Sequence, residues 1–326
     1  MNTNSRKQDA RSQVKVEGSG LNNPQGGETF DIYQQVTNQI LEAMETSQGQ
    51  GRRLWDAQPS LPLNLATGKP YTGMNTLILW GAAMSRGYKS PYWLTYRQAQ
   101  AVGGQVRKGE HSELCIFYKP WESQETNTET GETETKTGAV LKSFRVFNLD
   151  QIDGITAPAT EARPAFEVLA DAEALLQHTP APIREGGTQA CYIPSRDEIH
   201  MPARETFVNP EAFYSVAYHE ATHATGHQSR LARQFSTRFG DEAYAMEELI
   251  AELGAAFLCA EVGILPATRE DHAHYLANWV RVLKSDKKAI FTAAAAASKA
   301  ATFIKGHAEA EARTEAVDNP LLVGAA

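Results

Sequence analysis

His219, Glu220 and His223 stand in H-E-x-x-H spacing within His219-Glu220-Ala221-Thr222-His223. On a helix, side chains at i and i+4 leave from one face, so both imidazoles can reach one metal ion. A hydrolytic zinc site takes three protein ligands and leaves one position for water, whose pKa the metal lowers to about 7. Glu220 can lean over that position as general base on the metal-bound water. The third ligand is sought in Glu247-Glu248-Leu249-Ile250-Ala251-Glu252. Glu248 is the expected ligand, and Glu252, one turn further on, is expected to orient a ligand histidine from behind. Glu247 is a rival ligand, but its i+4 neighbour is Ala251, which can orient nothing. His227 is a second rival. On a continuous helix it would sit about 12 Å along the axis from His219, so only a break at Gly226 could bring it in. The expected cofactor is one Zn²⁺ per chain, with Mn²⁺ or Co²⁺ able to substitute, because affinity order alone does not decide occupancy.

A peptidase also needs an extended strand to pair with substrate and a donor for the tetrahedral intermediate. The segment Ala190 to Met201 is expected to form a hairpin around Pro194-Ser195-Arg196-Asp197. Tyr192, Tyr244 and His227 are the candidate donors.

Two buried helices must carry these residues. Phe213, Val216 and Ala217 give the first an apolar face, and Gly226 can end it. Leu249, Ile250, Leu253, Phe257 and Leu258 bury the second, while Ala251, Ala255 and Ala256 permit close approach. The periodicity predicts helices over Phe166–Gln177, Pro210–Gly226, Asp241–Val262, Thr268–Lys284 and Ser285–Ile304.

The first half of the chain is built differently. Apolar residues Ile32, Val36, Ile40 and Met44 mark one helix, and Gly73-Met74-Asn75 opens another over Thr76–Ser85. Thr95 is expected to cap a short helix reaching Val102. Leu114–Lys119 and Val140–Leu149 read as strands, separated by the acidic low-complexity stretch 122–138, expected to be a mobile hairpin insertion. From Gly51 to Pro120 there are nine basic residues against three acidic ones, interleaved with aromatic rings. Rings that stack on bases and cations that meet phosphates are what a single strand needs. The expected contacts are Arg52, Arg53, Trp55, Lys69, Tyr71, Arg86, Lys89, Tyr92, Arg97, Arg107 and Lys108, with Trp80 and Trp93 assigned to the core. No helix-turn-helix, zinc-finger or RNP signature is present, which disfavours sequence-specific reading of a duplex.

The 326 residues carry a net charge of −8 and 42% hydrophobic residues, enough for a core in each of two domains. The fold class expected is α+β. An arm over 1–27 and a DNA-binding domain over 28–154 are followed by a linker at 155–164. A mainly helical domain with a β-hairpin then spans 165–306, and a tail spans 307–326. Three dispersed cysteines fit a reducing cytoplasm. The N-terminus lacks a signal-peptide apolar core, and the Ala-rich run Thr292–Ile304 is too short to span a bilayer. The reading is cytoplasmic, with no membrane partner.

Several segments resemble the ArdC-type antirestriction proteins of conjugative plasmids. They are Pro62-Leu63-Asn64, Tyr71-Thr72-Gly73-Met74-Asn75, Pro91-Tyr92-Trp93-Leu94-Thr95 and Val106-Arg107-Lys108-Gly109-Glu110 in the first half. In the second they are Tyr192-Ile193-Pro194, Asp197 to Pro202, His219 to His227, Ser229-Arg230-Leu231 and Tyr244 to Leu249. The resemblance spans roughly Thr29 to Ile304, and its first part is similar to a module of TraC-type primases. The pairing of Glu248 with Glu252 resembles the E-x-x-x-D helix of gluzincin peptidases, whereas metzincins require a histidine where Ser229 stands. The resemblance implies an N-terminal single-stranded-DNA-binding domain, a C-terminal zincin-like metallopeptidase domain and a role in conjugation. A host restriction-related protein is the implied peptidase substrate. The alternative is a single-stranded-DNA-coating protein with a structural or idle metal site. A primase accessory is a third reading, with no acidic nucleotidyl-transfer cluster behind it.

Overall fold

The computed structural model describes residues 14–16, 31–49, 60–126, 133–158, 165–233, 242–266 and 272–318. Helix α1 spans Ile32–Gly49, α2 Met74–Arg86 and α3 Tyr96–Ala101. Helix α4 spans Ala165–Gln177, α5 Pro210–Thr225 and α6 Glu242–Val262; α7 spans His272–Ser285 and α8 Ala289–Asp318. The strands are β1 Val14–Val16, β2 Leu63–Asn64, β3 Tyr92–Leu94, β4 Gln105–Val106, β5 Glu113–Thr126, β6 Thr133–Asn148, β7 Ile152–Asp153, β8 Ile183–Gly187, β9 Cys191–Ile193 and β10 Glu198–Pro202. The fold is α+β, as expected. Among the described residues no helix is long and apolar enough to cross a membrane.

In the first half, β6 is the hub. It pairs antiparallel with β5 and β3 and parallel with β1, and β2 lies parallel to β3. The hairpin keeps one register from Glu113↔Val146 to Thr126↔Thr133. The strands therefore run well into the stretch 122–138, which was expected as a hairpin insertion. Residues 127–132 lie outside the described ones, as do those of the 1–27 arm other than β1. Thr95 caps α3, as expected, and does so by a reciprocal capping box with Gln98.

The motif Tyr71 to Asn75 shows why local chemistry fixes the start of α2. Thr76 Oγ1 donates to the Tyr71 carbonyl at 2.7 Å. The Asn75 side chain donates to Ile116 O and accepts from Ile116 N, each at 2.8 Å. The amide thus pairs with β5 as a strand edge would, which satisfies both backbone groups. Gly73, at φ 57°, takes the left-handed turn into the helix.

In the second half β8, β10 and β9 form a sheet in that order, so β9 is an edge strand. The hairpin β9–β10 has the expected turn, with Tyr192 opposite Ile199. Strand β8, parallel to β10, was not anticipated; its sequence Ile-Arg-Glu-Gly-Gly lacks the β-branched, alternating pattern that marks a strand. Helix α8 continues past Ile304 to Asp318, into the segment expected as a tail.

One apolar cluster takes buried residues from α1 and α2 as well as from α4 to α8. The α1 stripe Ile32, Val36, Ile40 and Met44 is fully inside it. Burying a side chain of this size contributes about 1.5–3 kcal/mol. Trp80 of α2 meets Phe257 of α6 with ring centroids 5.9 Å apart, and Thr37 Oγ1 donates to Lys287 O at 2.8 Å. Residues on both sides of the expected linker therefore share this packing. Helix α6 lies in its centre and is buried all round from Leu249 to Ala260.

Candidate metal centre

Helix α5 starts at a good cap: the Asn209 side chain accepts from Ala212 N at 2.8 Å, and Pro210 occupies the first turn. It ends at Gly226, so His227 lies beyond the helix. There its Nδ1 meets Ser229 Oγ at 2.7 Å. The break at Gly226 exists, but the described group of converging metal-binding side chains is His219, His223 and Glu248.

These three fit a metal by the chemistry and placement of their donors. His219 Nε2 and His223 Nε2 lie 3.2 Å apart. Each is 3.6 Å from an oxygen of Glu248, Oε2 for His219 and Oε1 for His223. Two imidazoles and one carboxylate form the donor set of hydrolytic zinc sites. All three are largely shielded from solvent, where an unpaired carboxylate would be costly.

The outer contacts divide the work between two carboxylates. Glu252 Oε1 lies 3.8 Å from His219 Nδ1, beside the ring it was expected to orient but too far for the expected hydrogen bond. Glu247 is closer to its histidine, with Oε1 3.1 Å from His223 Nδ1. Its partner comes from another helix, not from its own i+4 position. Arg233 grips Glu247 in a fork, Nε to Oε2 and Nη2 to Oε1, both at 2.9 Å. The same guanidinium donates to Thr225 Oγ1 at 2.8 Å and Thr222 O at 2.6 Å at the end of α5. Burial alone would raise the Glu247 carboxyl, but His223 and Arg233 outweigh it and hold it below the usual range. Burial likewise opposes protonation of His223, yet the Glu247 contact and the charges of Glu248, Glu247 and Glu220 leave its pKa raised.

Glu220 is buried, and its Oε2 accepts from the backbone N–H of Tyr192 at 2.8 Å. The edge strand β9 is thus tied directly to the residue expected as general base. The hairpin is anchored in turn by Arg230, whose two Nη atoms each reach an oxygen of Asp197 at 2.7 Å. Arg230 Nη1 also donates to Ala224 O at 2.8 Å, and its Nη2 to Pro180 O. Asp197 sits at φ 52° in the hairpin turn.

The three candidate donors are placed differently. The Tyr192 hydroxyl donates to Asp197 Oδ1 at 2.8 Å, and burial, with Asp197 beside it, pushes its pKa up to about 12. His227 is engaged with Ser229. Tyr244 stands on α6 one turn ahead of Glu248, half-buried. Arg230, Arg233 and Gly254 of α6, whose missing side chain leaves room for Thr222 of α5, were not anticipated from the sequence. A glycine inside an apolar helix was the available signal for the last. The two arginines act through tertiary contacts that no local pattern records.

The residues expected to contact DNA scatter more widely. Arg52, Arg53 and Trp55 lie outside the described residues. Lys69, Lys89, Arg97 and Lys108 are exposed. Arg86 pairs with the buried Glu113 at 2.7 Å, and Arg107 pairs with Glu110 at 2.9 Å and Asp153 at 3.3 Å. Tyr92 is half-buried against the small cluster around Leu94 and Leu149. Tyr71 corrects the expectation: it is 9% exposed, belongs to the core with Trp93, and its hydroxyl accepts from Asn64 Nδ2 at 3.0 Å. Its ring has no free face for a base. Trp80 and Trp93 are core residues, as expected.

Comparison with known proteins places this geometry among relatives. Residues 30–147 match the family described as the N-terminal domain of anti-restriction factor ArdC. Residues 170–296 match the zincin-like metallopeptidase family MPTase-PolyVal. The chain is 40% identical over 291 residues to the uncharacterized protein y4eC of Sinorhizobium fredii, a match covering 87% of this chain and 95% of that one. It is 36% identical over 290 residues to a DNA primase TraC of Escherichia coli, covering 84% of this chain but 27% of that much longer protein. Two crystal structures of the antirestriction ArdC protein from the R388 plasmid superpose with a TM-score of 0.69, each covering 86% of this chain and 98% of that one. The metal-free form is 39% identical and the Mn(II)-bound form 38%.

Proposed function

The chain belongs to the ArdC antirestriction family and carries its zincin-like domain, and on that premise we propose that it binds single-stranded DNA entering by conjugation and hydrolyses a protein substrate at a Zn²⁺ centre. The observation that carries the catalytic half is the convergence of His219 Nε2, His223 Nε2 and the Glu248 carboxylate beside Glu220 and the β9 edge. Support for a divalent ion comes from the Mn(II)-bound form of the R388 relative. Support for the DNA half comes from the N-terminal family match, the TraC relatives and the exposed cations Lys69, Lys89, Arg97 and Lys108.

His219, His223 and Glu248 would hold the cation, which when bound supplies Lewis-acid polarisation and brings the pKa of a water towards neutrality. This chain's own residues do the rest. Glu247, clamped by Arg233, holds the His223 ring by Nδ1 and so keeps Nε2 turned towards His219. Glu220 has one oxygen fixed by Tyr192 N–H, which sets its rotamer. Its other oxygen takes the proton of the attacking water and passes it to the leaving amide nitrogen. The β9 edge offers backbone groups to an extended peptide, which would hold the scissile carbonyl near Glu220. The implied substrate is a host protein linked to restriction.

The test compares two variants. Glu248→Ala should lose bound metal, measured by inductively coupled plasma mass spectrometry. Glu220→Gln should keep the metal and lose hydrolysis of an unfolded protein probe. Full metal content in Glu248→Ala, or undiminished hydrolysis by Glu220→Gln, would contradict the assignment.

A further inference from the structure

A groove of about 1180 Å³ lies between β5 with the start of α2 on one side and α8 on the other. Its described lining has three cations, Arg233, Lys288 and Lys299, five aromatic rings and no carboxylate. That lining is unusual in a chain whose net charge is −8. Phe117 and Tyr118 are 43% and 45% exposed where the groove meets β5, on opposite faces of that strand: Phe117 lies beside Phe144, and the Tyr118 hydroxyl meets that of Tyr33. Lys288, in the turn just before α8, and Lys299, on α8, are exposed, and neither forms an ion pair among the described residues. Lys288 Nζ lies 5.2 Å from the centre of the Tyr33 ring.

We propose that this groove is the path of the single-stranded DNA. Bases would stack on Phe117 and Tyr118, and phosphates would meet Lys288 and Lys299 of the helical half. The inference rests on the DNA reading above and sharpens it. The strand would be held between both halves of the chain, not only on the basic N-terminal surface. Flat rings beside cations, with no acid, match a strand whose bases are unstacked and whose backbone is anionic. A peptide has no general need for such a charge surplus. Arg233, which also lines the groove, is already committed to Glu247, so the two lysines are the cations available to phosphates.

The experiment is fluorescence anisotropy of labelled oligothymidylate with the full chain over a series of salt concentrations. Lys288→Glu/Lys299→Glu should weaken binding by more than about tenfold and lower the slope of log K against log salt by about 0.7 for each phosphate no longer neutralised. Phe117→Ala should weaken it about tenfold by removing a stacking ring. The pair Lys69→Glu/Arg97→Glu makes the same charge change outside the groove and should do less. Circular dichroism of each variant reports folding, and the salt slope distinguishes missing phosphate pairing from misfolding. If the groove variants bind like wild type while Lys69→Glu/Arg97→Glu binds weakly, the groove is the wrong place and the DNA reading stands. If wild type itself does not bind, both fall. If the groove variants keep DNA binding but lose hydrolysis of the protein probe, the groove is a peptide channel and the proposal is overturned.

Discussion

Gly254 of α6 faces Thr222 of α5, the residue just before His223: a Cβ on Gly254 would lie 2.5 Å from Thr222 Cγ2 and 2.6 Å from its Oγ1. The two helices that bring His219, His223 and Glu248 together therefore cross where one of them has no side chain. Thr222 cannot easily yield, because it is fully buried and its hydroxyl donates to Tyr218 O at 2.8 Å.

Gly254→Ala should accordingly be destabilising although it improves intrinsic helix propensity. Overpacking costs about 1–3 kcal/mol, against roughly 1 kcal/mol gained from propensity. Urea denaturation should show a net loss, and Thr222→Ala in the same chain should recover part of it. Equal or greater stability of Gly254→Ala alone would show that the crossing is not set by this contact.

Arg233 should control the centre without touching its ligand atoms. Arg233→Ala leaves the Glu247 carboxylate buried without its fork, and breaking a buried pair in this way costs about 3–5 kcal/mol. Removing an orienting partner typically lowers metal affinity about 10- to 100-fold. Competition with a chromophoric chelator reads the affinity directly. Wild-type affinity in a folded Arg233→Ala would remove Glu247 and Arg233 from the account.

Much of the centre was readable because it is local. His219, Glu220 and His223 obey one helical period, and Glu248 with Glu252 obey another, so a pattern of i and i+4 was enough. Glu247 stays outside the ligand group, as expected, but its orienting role was missed for the opposite reason. Its importance lies in His223 and Arg233, which reach it from other segments, whereas the sequence offered only Ala251. Tyr71 shows the same limit in the N-terminal half: an aromatic among basic residues reads as a stacking ring until packing against Trp93 shows it to be core. The cap at Thr95 and the stripe of α1 needed no such knowledge, since capping and amphipathicity are written in neighbouring residues. Strand β8 is short and its sequence polar, and it is held by pairing with β10, which leaves no local trace.

Acid should loosen the edge strand through Asp197. Its carboxyl lies below the usual range, chiefly through the hydrogen bonds from Arg230 and against some desolvation. A folded-state pKa below the unfolded value of about 3.9 stabilises the fold fully above that value. The contribution is lost as pH falls through the folded-state pKa. The difference in melting temperature between wild type and Asp197→Asn should therefore be widest near neutrality and shrink as pH falls below about 4. A difference that stays constant across that range would mean that the Asp197–Arg230 pair adds nothing that titrates.

The central claim is that chemistry at Glu220, in a chain that also binds single-stranded DNA, protects an incoming plasmid. Plasmid transfer into restricting and non-restricting hosts tests it most directly, with wild type and Glu220→Gln matched for expression, metal content and DNA affinity. The account predicts that Glu220→Gln loses protection in the restricting host and transfers normally into the other. Full protection by a metal-loaded Glu220→Gln would contradict it and leave a protein that guards DNA by covering it.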